Sequence, residues 1–394
     1  MNGQRSIGVG LISVGWMGRL HSRAYLATKQ FYPELGVSPE LVIAADPDAG
    51  GREHASTALG YRETTADYHE LLAHPDVDVV SICAPNFLHH EIALATIEAG
   101  KPFWIEKPMG ISASQSRDIA TGAEAAGLLT AVGFNYRHVP AIAEARRLVR
   151  EGALGTITNV QMRLLTSYAS DPGQVFTWRY EKSRAGTGVL GDVLSHGFDL
   201  AQYVVGRVTS ISAITETFIK ERPLPAGVSA NSFAKGEASS TLRTVENEDY
   251  AAMLARFDGG AVGFFESTRV GVGPNAEYLL EVYGTKGSLR WNFERMNELQ
   301  IADDNRGYRT VLADTTFGEF GRFQPNAGPG IGFNDLKTIE ASLFLRSVVE
   351  RRQLAPSVAD GWSASELVDA SVRSAASGQW VNLEPVAGRT TFEN

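Results

Sequence analysis

Short apolar runs alternate with longer helix-like segments through the first third of the chain. The runs cover residues 7–12, 41–45, 77–82, 103–105 and 128–132, and the helix-like segments cover residues 19–28, 91–99 and 112–126. Strands that alternate with helices in this way are typical of a parallel sheet with helices on both faces. The pattern therefore predicts an α/β domain over residues 1–137, built on a doubly wound parallel sheet.

The pattern changes after residue 137. A helix near 141–150 is followed by β-rich runs joined by short glycine-containing turns. The runs cover residues 157–166, 208–218, 250–257, 261–267, 278–283 and 288–293. Consecutive strands with short turns predict a sheet that is mainly antiparallel. We therefore expect a second, α+β domain over residues 138–394 with a large, mainly antiparallel open sheet.

Two further features belong to this second domain. Residues 224–247 are rich in Ser, Ala, Gly and Thr, which predicts a long surface loop. Two closing helices are predicted near 334–351 and 363–377. These two helices are expected to pack against the first domain.

Composition narrows the class of ligand. The chain has 394 residues, of which 43% are apolar and 21% charged, so it is long and apolar enough to form two hydrophobic cores. Its net charge is −9, and no segment is rich in Lys or Arg. Such a surface has no electrostatic footprint for nucleic acid or for an anionic membrane, so a small molecule is the expected partner. The single cysteine, Cys83, lies in an apolar run and predicts a buried side chain. No signal-type segment or membrane-spanning run is evident, and we expect a soluble, cytoplasmic protein.

A glycine-containing turn joins the first strand to the first helix. Ser13, Gly15 and Gly18 occupy the three glycine positions of the dinucleotide-binding pattern G-x-G-x-x-G. Such a turn lets the backbone approach a pyrophosphate, and the free N–H groups of the helix start face its negative charge. The arrangement predicts a Rossmann nucleotide-binding domain, with Ser13, Gly15, Trp16 and Met17 on the cofactor. Glycines after strands are common in any α/β protein, so the turn alone is a weak signal.

The second strand ends at Asp46, where an acid would accept hydrogen bonds from the adenosine ribose hydroxyls. A carboxylate at this position repels a 2′-phosphate, which favours NAD over NADP, while the nearby Arg52 favours NADP. The alternative for Asp46 is a helix cap, because it precedes Pro47 and an Asp-Pro pair is a good helix opening. The two roles are compatible.

Four residues follow later strands at the same edge of the predicted sheet, namely Ala84, Asn86, His89 and Asn135. Ligands bind at the carboxyl ends of strands in an open parallel sheet, so these residues are expected on the cofactor side. For a lone histidine such as His89, helix capping or solvation is the alternative. The adjacent His89 and His90 do not make a metal pair by helix geometry.

The apolar run 103–105 ends abruptly in Glu106, Lys107 and Pro108. A buried strand in this position delivers two charges to the ligand-binding edge. Lys107 is therefore the candidate for a reacting or polarising group, with Glu106 beside the cofactor. Solvated charges at a strand end are the alternative.

A polar stripe follows a glycine-rich loop in the second domain. If residues 192–205 form a helix, Asp192, His196, Asp199 and Tyr203 share one face of it. Such a stripe normally faces water, yet the flanking residues are mostly apolar. Asp192 and His196 lack a third ligand for a metal, so no metal is predicted. General acid–base chemistry needs only one oriented histidine near a substrate hydroxyl, which His196 would supply.

Together these segments resemble the glucose-fructose oxidoreductase/inositol dehydrogenase (Gfo/Idh/MocA) family. The resemblance covers essentially the whole chain, and its most specific part is Glu106-Lys107-Pro108 followed by a glycine, Asp192 and His196. It implies a nucleotide-binding domain and a sheet domain that carries the substrate site and the contact of a homo-dimer or homo-tetramer. By this resemblance Lys107 contacts nicotinamide and substrate, His196 transfers the proton, and Asp192 holds a substrate hydroxyl. Ser13 and Leu194 replace usual glycines, and Leu194 is expected to crowd the substrate side.

Within the family, segments 170–172 and 176–183 resemble the branch of sugar 3-dehydrogenases. That branch oxidises a ring secondary hydroxyl, typically at C3 of a pyranose, to a keto-sugar. The resemblance implies NAD-dependent oxidation of a sugar, a glycoside or an anhydrosugar such as levoglucosan. Tyr136, Tyr168 and Trp178 are expected to line the sugar, with Arg179 at the sugar or the cofactor; for Trp178 a loop anchor is the alternative.

Three other functions remain open at this point. An inositol (cyclitol) dehydrogenase would use the same residues. An NAD-dependent glycosidase would oxidise C3 only transiently, in order to eliminate its leaving group. A non-catalytic nucleotide sensor has no need of a base, so the joint presence of Lys107, Asp192 and His196 speaks against it.

Overall fold

The computed structural model describes residues 5–226, 238–303 and 306–385. The strands of the first domain are β1 (Arg5–Ile12), β2 (Val37–Ala45), β3 (Glu63–Thr65), β4 (Val79–Ile82), β5 (Phe103–Ile105) and β6 (Thr130–Val132). Its helices are α1 (Trp16–Phe31), α2 (Ala49–His54), α3 (Tyr68–Ala73), α4 (Asn86–Glu98) and α5 (Ala113–Ala125).

The remaining helices are α6 (Pro140–Arg150), α7 (Lys182–Ala185), α8 (Ser195–Val204), α9 (Phe333–Glu350) and α10 (Val358–Ser377). The remaining strands are β7 (Ile157–Thr166), β8 (Val208–Glu216), β9 (Glu221–Pro225), β10 (Ala238–Thr244), β11 (Tyr250–Phe257), β12 (Val262–Thr268), β13 (Ala276–Gly284), β14 (Ser288–Asn292), β15 (Glu298–Ala302), β16 (Arg309–Leu312) and β17 (Val381–Asn382). Short 3₁₀ turns lie at Pro33–Leu35, Asn135–His138, Trp178–Tyr180, Phe293–Arg295 and Phe320–Arg322, and π-helical turns at Ala55–Leu59 and Leu190–Leu194.

The first sheet confirms the predicted doubly wound arrangement. Its strand order is β3-β2-β1-β4-β5-β6, and every pairing is parallel. The order reverses between β1 and β4, and a ligand crevice opens outside the carboxyl ends of strands at such a switch point. The turn after β1 and the loops after β4 and β5 therefore share one edge of the sheet.

The second sheet has nine strands in the order β16-β15-β14-β13-β7-β12-β11-β8-β17. Among the strands described, β7 and β12 form its one parallel pair, which confirms a large and mainly antiparallel sheet. Strands β15, β16 and β17 were not predicted. The predicted loop at 224–247 is wrong in part, because β9 and β10 pair antiparallel there; residues 227–237 lie outside the described part.

The closing helices contribute to the cores of both domains. Phe344 and Leu345 of α9 pack with β1 and β2 residues of the first sheet. Ala364 of α10 joins the core on the other face of that sheet, while Leu367 of the same helix joins the core of the second domain. Each large apolar side chain buried there contributes about 1.5–3 kcal/mol. These contacts hold the second domain on the first, next to the crevice.

Membrane-spanning helices and metal-binding clusters are both absent from the described residues. No helix there is both long enough and apolar enough to cross a membrane. No group of three or more His, Cys, Asp or Glu side chains within the same ranges is arranged to hold a metal ion.

Candidate active site

The glycine turn presents an open backbone to the crevice. Gly15 precedes α1, and a Cβ added to it would meet nothing closer than the Ser13 Oγ at 4.0 Å. Gly18, by contrast, lies against the Ser13 carbonyl, because a Cβ there would come within 2.2 Å of that oxygen. Gly18 lets α1 pack closely on the turn, while Gly15 leaves room for a phosphate group at the helix start.

Ser13 occupies the first glycine position with a φ of 75°. This left-handed conformation favours glycine, because a Cβ crowds the neighbouring carbonyl. The backbone still follows a glycine-type turn, and the Ser13 N–H donates to the Ala45 carbonyl oxygen at 2.8 Å. Serine therefore preserves the turn at a cost in backbone strain.

The variant Ser13→Gly is expected to raise the free energy of unfolding by about 0.5 kcal/mol. Relief of a left-handed residue is worth about 1–2 kcal/mol, and the extra freedom of glycine in the unfolded chain removes about 0.5–1 kcal/mol. Urea denaturation followed by circular dichroism measures the difference. A lowered midpoint would show that the Ser13 hydroxyl contributes more than its backbone costs.

Asp46 reaches from the end of β2 to the glycine turn. Its Oδ2 accepts a hydrogen bond from the Val14 N–H at 2.7 Å, and its Oδ1 accepts one from the Asp48 N–H at 2.9 Å. The predicted cap role of Asp46 is wrong, because α2 begins at Ala49 and its cap is Asp48, which accepts from the Gly51 N–H. Arg52 donates to the carbonyl oxygens of residues 46 and 47.

Replacing Asp46 by serine is expected to raise the ratio of kcat/KM with NADP to that with NAD by at least about tenfold. The carboxylate repels a 2′-phosphate, and a hydrogen bond from a ribose hydroxyl to a charged acceptor is worth about 1.5–3 kcal/mol. Steady-state kinetics with both cofactors measures the ratio. Asp48→Ser, which keeps a good helix cap, is the matched control and should leave the ratio unchanged.

Lys107 lies just beyond the end of β5 and points at the second domain. Its Nζ donates to the Asp192 carbonyl oxygen at 2.7 Å and lies 3.9 Å from the Asp192 Oδ1. Burial lowers the pKa of Lys107 below its ordinary value, although Asp192 and Glu106 act to raise it. The crevice thus contains a desolvated cation supplied by the first domain.

Asp192 lies in the π-helical turn at Leu190–Leu194, so the predicted continuous α-helix over 192–205 is wrong at its start. Its Oδ2 accepts from the Tyr168 hydroxyl at 2.8 Å, and its Oδ1 accepts from the Arg179 guanidinium at 2.9 Å. Burial alone would raise the pKa of Asp192, but Arg179 and Lys107 lower it below its ordinary value. Asp192 is therefore an ionised carboxylate held between two cations.

His196 lies in the first turn of α8, and 7% of the residue is exposed. Its ring centroid is 4.5 Å from that of Tyr136 and 6.0 Å from that of Phe134. The Nδ1 atom is buried and makes no hydrogen bond to any described residue. Burial, and then the charge of Lys107, lower the pKa of His196 well below its ordinary value. The imidazole is consequently neutral at physiological pH and able to accept a proton.

The predicted polar stripe divides into two parts. Asp192 and His196 face the crevice, whereas Asp199 accepts hydrogen bonds from Arg137, which also donates to Asp360 at 2.9 Å. Tyr203 lies under the Arg146 guanidinium, 3.9 Å from it. Asp199 therefore belongs to a buried network that links α8 to α10, whereas Tyr203 packs against α6.

Two residues predicted to contact the cofactor, Glu106 and His89, are buried and lie against polar groups of the protein. The Glu106 Oε1 accepts from the Lys337 ammonium at 2.6 Å and lies 2.9 Å from the His21 Nε2. The two ring nitrogens of His89 lie 2.9 Å and 2.8 Å from the carbonyl oxygens of residues 108 and 84. Both side chains therefore bind groups next to Lys107, since Glu106 accepts from Lys337 and His89 lies against the carbonyl oxygen of residue 108.

Asn86 and Asn135 are better placed for a cofactor. Asn86 is the first residue of α4 and is 7% exposed. Asn135 is 2% exposed, and its Nδ2 is buried without a hydrogen-bond partner among the described residues. An unpaired buried amide is costly unless a ligand accepts its hydrogen bond. The open turn at Gly15, the Asp46 carboxylate and the Asn135 amide together fit a dinucleotide.

Of the three residues predicted to line a sugar, two contact Asp192 or His196 and the third, Trp178, lies to one side. Tyr136 packs on His196, and Tyr168 donates to Asp192. Trp178 makes an edge contact with Phe87, with ring centroids 5.7 Å apart, and the Arg179 guanidinium lies 4.6 Å from its ring. Arg179, predicted at the sugar or the cofactor, thus holds Asp192 and Trp178 at one side of the crevice.

Sequence reasoning missed three residues around the site. Tyr278 of β13 packs against Tyr136, with ring centroids 5.3 Å apart. His21 and Lys337 contact Glu106 from α1 and α9. A lone histidine following the glycine turn was the only available signal for His21, and Tyr278 and Lys337 carried none.

The expected crowding by Leu194 is wrong. Leu194 is fully buried, and its Cδ1 lies where a Cβ of Gly197 would approach to 3.1 Å. The side chain therefore packs along its own helix, inside the core of the second domain.

The fold and the site define a nucleotide-dependent dehydrogenase, and comparison with known proteins agrees. Residues 7–134 match the oxidoreductase family with an NAD-binding Rossmann fold, and residues 142–290 match the GFO/IDH/MocA C-terminal domain. The chain belongs to the Gfo/Idh/MocA family. The predicted family, the enzyme class and the cofactor NAD are thereby confirmed.

Individual relatives cover nearly the entire chain. Levoglucosan dehydrogenase of Pseudarthrobacter phenanthrenivorans is 35% identical over 97% of this chain and 100% of that protein. Inositol 2-dehydrogenase of Rhizobium meliloti is 24% identical over 95% of this chain and 98% of that protein. A structure of levoglucosan dehydrogenase in complex with NADH and levoglucosan superposes with a TM-score of 0.89 at 36% identity, covering 96% of this chain and 99% of that one.

Proposed function

We propose that the protein oxidises a ring secondary hydroxyl, at C3, of a pyranose sugar, a glycoside or an anhydrosugar such as levoglucosan, giving a keto-sugar. The observation that carries the proposal is the neutral, buried His196, with Lys107 and Asp192 in the same crevice. The similarity to levoglucosan dehydrogenase over nearly the full length of both chains supports the choice of substrate.

Each of the three residues has a distinct task in such a reaction. NAD, when bound, supplies the hydride acceptor. His196 accepts the proton of the reacting hydroxyl, which a neutral imidazole can do. Lys107 stabilises the negative charge that develops on the same oxygen, because its ammonium is largely desolvated. Asp192 accepts hydrogen bonds from substrate hydroxyls, as an ionised carboxylate held by Arg179.

The cofactor residues follow from the geometry of the first domain. The backbone of Ser13, Gly15 and the start of α1 would hold the pyrophosphate, and Asp46 the ribose hydroxyls. Asn86 and Asn135 would hold the part of the dinucleotide nearest Lys107. These groups orient the cofactor and leave one side of the crevice for the sugar, beside Tyr136, Tyr168 and Trp178.

A substrate screen that follows NADH absorbance tests the proposal. Levoglucosan, glucose, glucosides and myo-inositol are each supplied with NAD, and we expect NADH to form with a pyranose or anhydropyranose and the keto-sugar to carry its carbonyl at C3. NADH with myo-inositol alone would establish a cyclitol dehydrogenase, the activity named for the relative from R. meliloti. Released aglycone without net NADH would establish the glycosidase.

We also propose that the protein is a homo-dimer or homo-tetramer formed through the second sheet. Ile214, Leu254 and Val262 lie on one face of β8, β11 and β12, as their pairing registers show, and are 65%, 55% and 48% exposed. Neighbouring exposed apolar side chains on a sheet face mark an interaction surface. Light scattering is expected to give a dimeric or tetrameric mass, and Leu254→Lys to reduce it; a monomeric mass for the unmodified chain would refute the proposal.

A further inference from the structure

A buried ion pair lies directly behind the proposed catalytic lysine. The Nζ of Lys337, in α9, is 2.6 Å from the Oε1 of Glu106 and 2.8 Å from the Oε2 of Glu340, while only 1% of the Lys337 side chain is exposed. Glu106 is the residue before Lys107, and its Oε2 faces the Lys107 N–H at 3.4 Å. One carboxylate therefore connects the closing helix to the residue that points into the crevice.

The same carboxylate is held from the opposite side by α1. The His21 Nε2 lies 2.9 Å from the Glu106 Oε1, and the His21 Nδ1 lies 3.2 Å from the Ser81 Oγ. The His21 ring stacks on Trp104 of β5 at 3.4 Å, and the Lys337 ammonium lies 5.4 Å from the centre of the same Trp104 ring. The end of β5 is thus clamped between two helices, one from each end of the chain.

We propose that Lys337 is a positioning residue for the reaction: by pairing with Glu106 it fixes the end of β5, and through it the place and charge environment of Lys107 and His196. The inference rests on the proposed roles of those two residues. Only 1% of the Lys337 side chain is exposed, so its ammonium is closed off from the crevice. Its effect is carried by Glu106.

The charges of the network support this role. Burial acts to lower the pKa of Lys337, but Glu106 and Glu340 raise it above its ordinary value. Burial acts to raise the pKa of Glu106, but Lys337 and His21 lower it. Burial lowers the pKa of His21 to about 4 and raises that of Glu340 to about 8. The buried Lys337 ammonium is therefore held between two carboxyl groups, those of Glu106 and Glu340.

Removing Lys337 takes away a positive charge that acts on the proposed base, His196. The charged groups that act on His196 are those of Lys107, Glu106, Lys337 and Asp192, and the positive charge of Lys337 lowers the pKa of His196. The charge of Lys337 also lowers the pKa of His138, and the charge of Asp199 acts to raise that of Glu340. Without Lys337, the Glu106 carboxylate keeps His21 as a partner, and its uncompensated charge raises the pKa of His196.

The test compares Lys337→Met, which keeps the apolar stem, with the double variant Glu106→Gln/Lys337→Met, which removes both charges. The single variant is expected to lower kcat by about tenfold to a hundredfold, since a small displacement of a reacting group costs that much. It should also move the acid limb of kcat/KM to higher pH by about half a unit or more. The double variant is expected to regain the wild-type acid limb, with kcat still about tenfold low.

Leu345→Ala is the matched control on the same helix. It opens a cavity between α9 and the first sheet, where Leu345 is fully buried. The cavity is expected to lower thermal stability but to leave both the acid limb and kcat unchanged. A shift of the acid limb in this control equal to that of Lys337→Met would assign the effect to loosened packing and overturn the proposal.

The kinetics of both Lys337 variants and an NMR titration of His196 decide between the possible outcomes. Wild-type kcat and pH profile in both Lys337 variants would overturn the role of Lys337. If the single variant fails to fold, the double variant, which removes the charges of both Lys337 and Glu106, decides the matter through its kcat. A wild-type enzyme that turns over no sugar would refute the proposed function alone, because NMR titration of the His196 ring in wild type and variants tests the role of Lys337 without substrate.

Discussion

Replacing Lys107 by methionine is expected to lower kcat by about a thousandfold while leaving NADH affinity within a fewfold of wild type. The reaction leaves negative charge on the substrate oxygen, and removal of one well-placed donor to such an oxygen costs about a hundredfold to a thousandfold. For Lys107 we expect a loss of kcat at the upper end of that range, because its ammonium is a charged, largely desolvated donor. Methionine keeps the length of the stem, so packing at the end of β5 is retained.

The measurement is steady-state turnover with the best sugar, with NADH binding followed by fluorescence. Lys101→Met is the matched control, because Lys101 precedes the same strand and its ammonium donates to the carbonyl oxygens of residues 74 and 77, away from the crevice. Equal losses in the two variants would point to a general effect on β5. Undiminished turnover in Lys107→Met would remove Lys107 from the mechanism.

The fold was predictable because its signals are local. The apolar runs of β1, β2, β4, β5 and β6 are short and separated by helices, and only a parallel sheet buries such runs on both faces. Strand β16 escaped prediction for the opposite reason. None of its four residues is buried, so its pattern contains no alternation, and only the ladder with β15 makes it a strand.

The site residues were predictable where a reactive residue type stood at a position that the local pattern assigns to a strand end or a helix face. Lys107 follows a buried strand, and Asp192 and His196 are four residues apart, so each could be assigned to one edge or one helix face. The π-helical turn could not be foreseen, since it depends on contacts distant in sequence: the Glu248 Oε1 accepts from the Gly188 and Leu190 N–H groups at 2.8 and 3.0 Å. That carboxylate holds the backbone from which Asp192 projects.

Within the network behind Lys107, the pair Lys337 and Glu340 gave no sequence signal. Lys337 and Glu340 are spaced i, i+3 on a helix, which is the ordinary pattern of a solvent-exposed ion pair. Their burial follows from α9 packing on the first sheet, which the local pattern of α9 does not specify. Likewise, Glu106 looked like a strand-end charge beside a cofactor until the structure brought His21 and Lys337 to it.

Replacing His196 by alanine is expected to lower kcat by about a thousandfold with unchanged NADH affinity. A positioned base contributes about a hundredfold to ten thousandfold, and no other neutral imidazole among the described residues lies against both Tyr136 and the Lys107 region. Added imidazole should restore part of the lost turnover, which structural damage would not allow. His90→Ala, at a half-buried histidine beside Asp118, is the control and should keep full activity.

The pH dependence gives the same residue an independent test. In the direction of alcohol oxidation His196 must be neutral, so kcat/KM is retained above its pKa and is lost as the pH falls through it. Because burial and Lys107 lower that pKa well below the ordinary value of 6.5, the acid limb is expected well below pH 6.5. In Lys107→Met the limb should move upward, since a cation that disfavours the imidazolium is gone. An acid limb that persists unchanged in His196→Ala would assign it to another group and exclude His196 as the base.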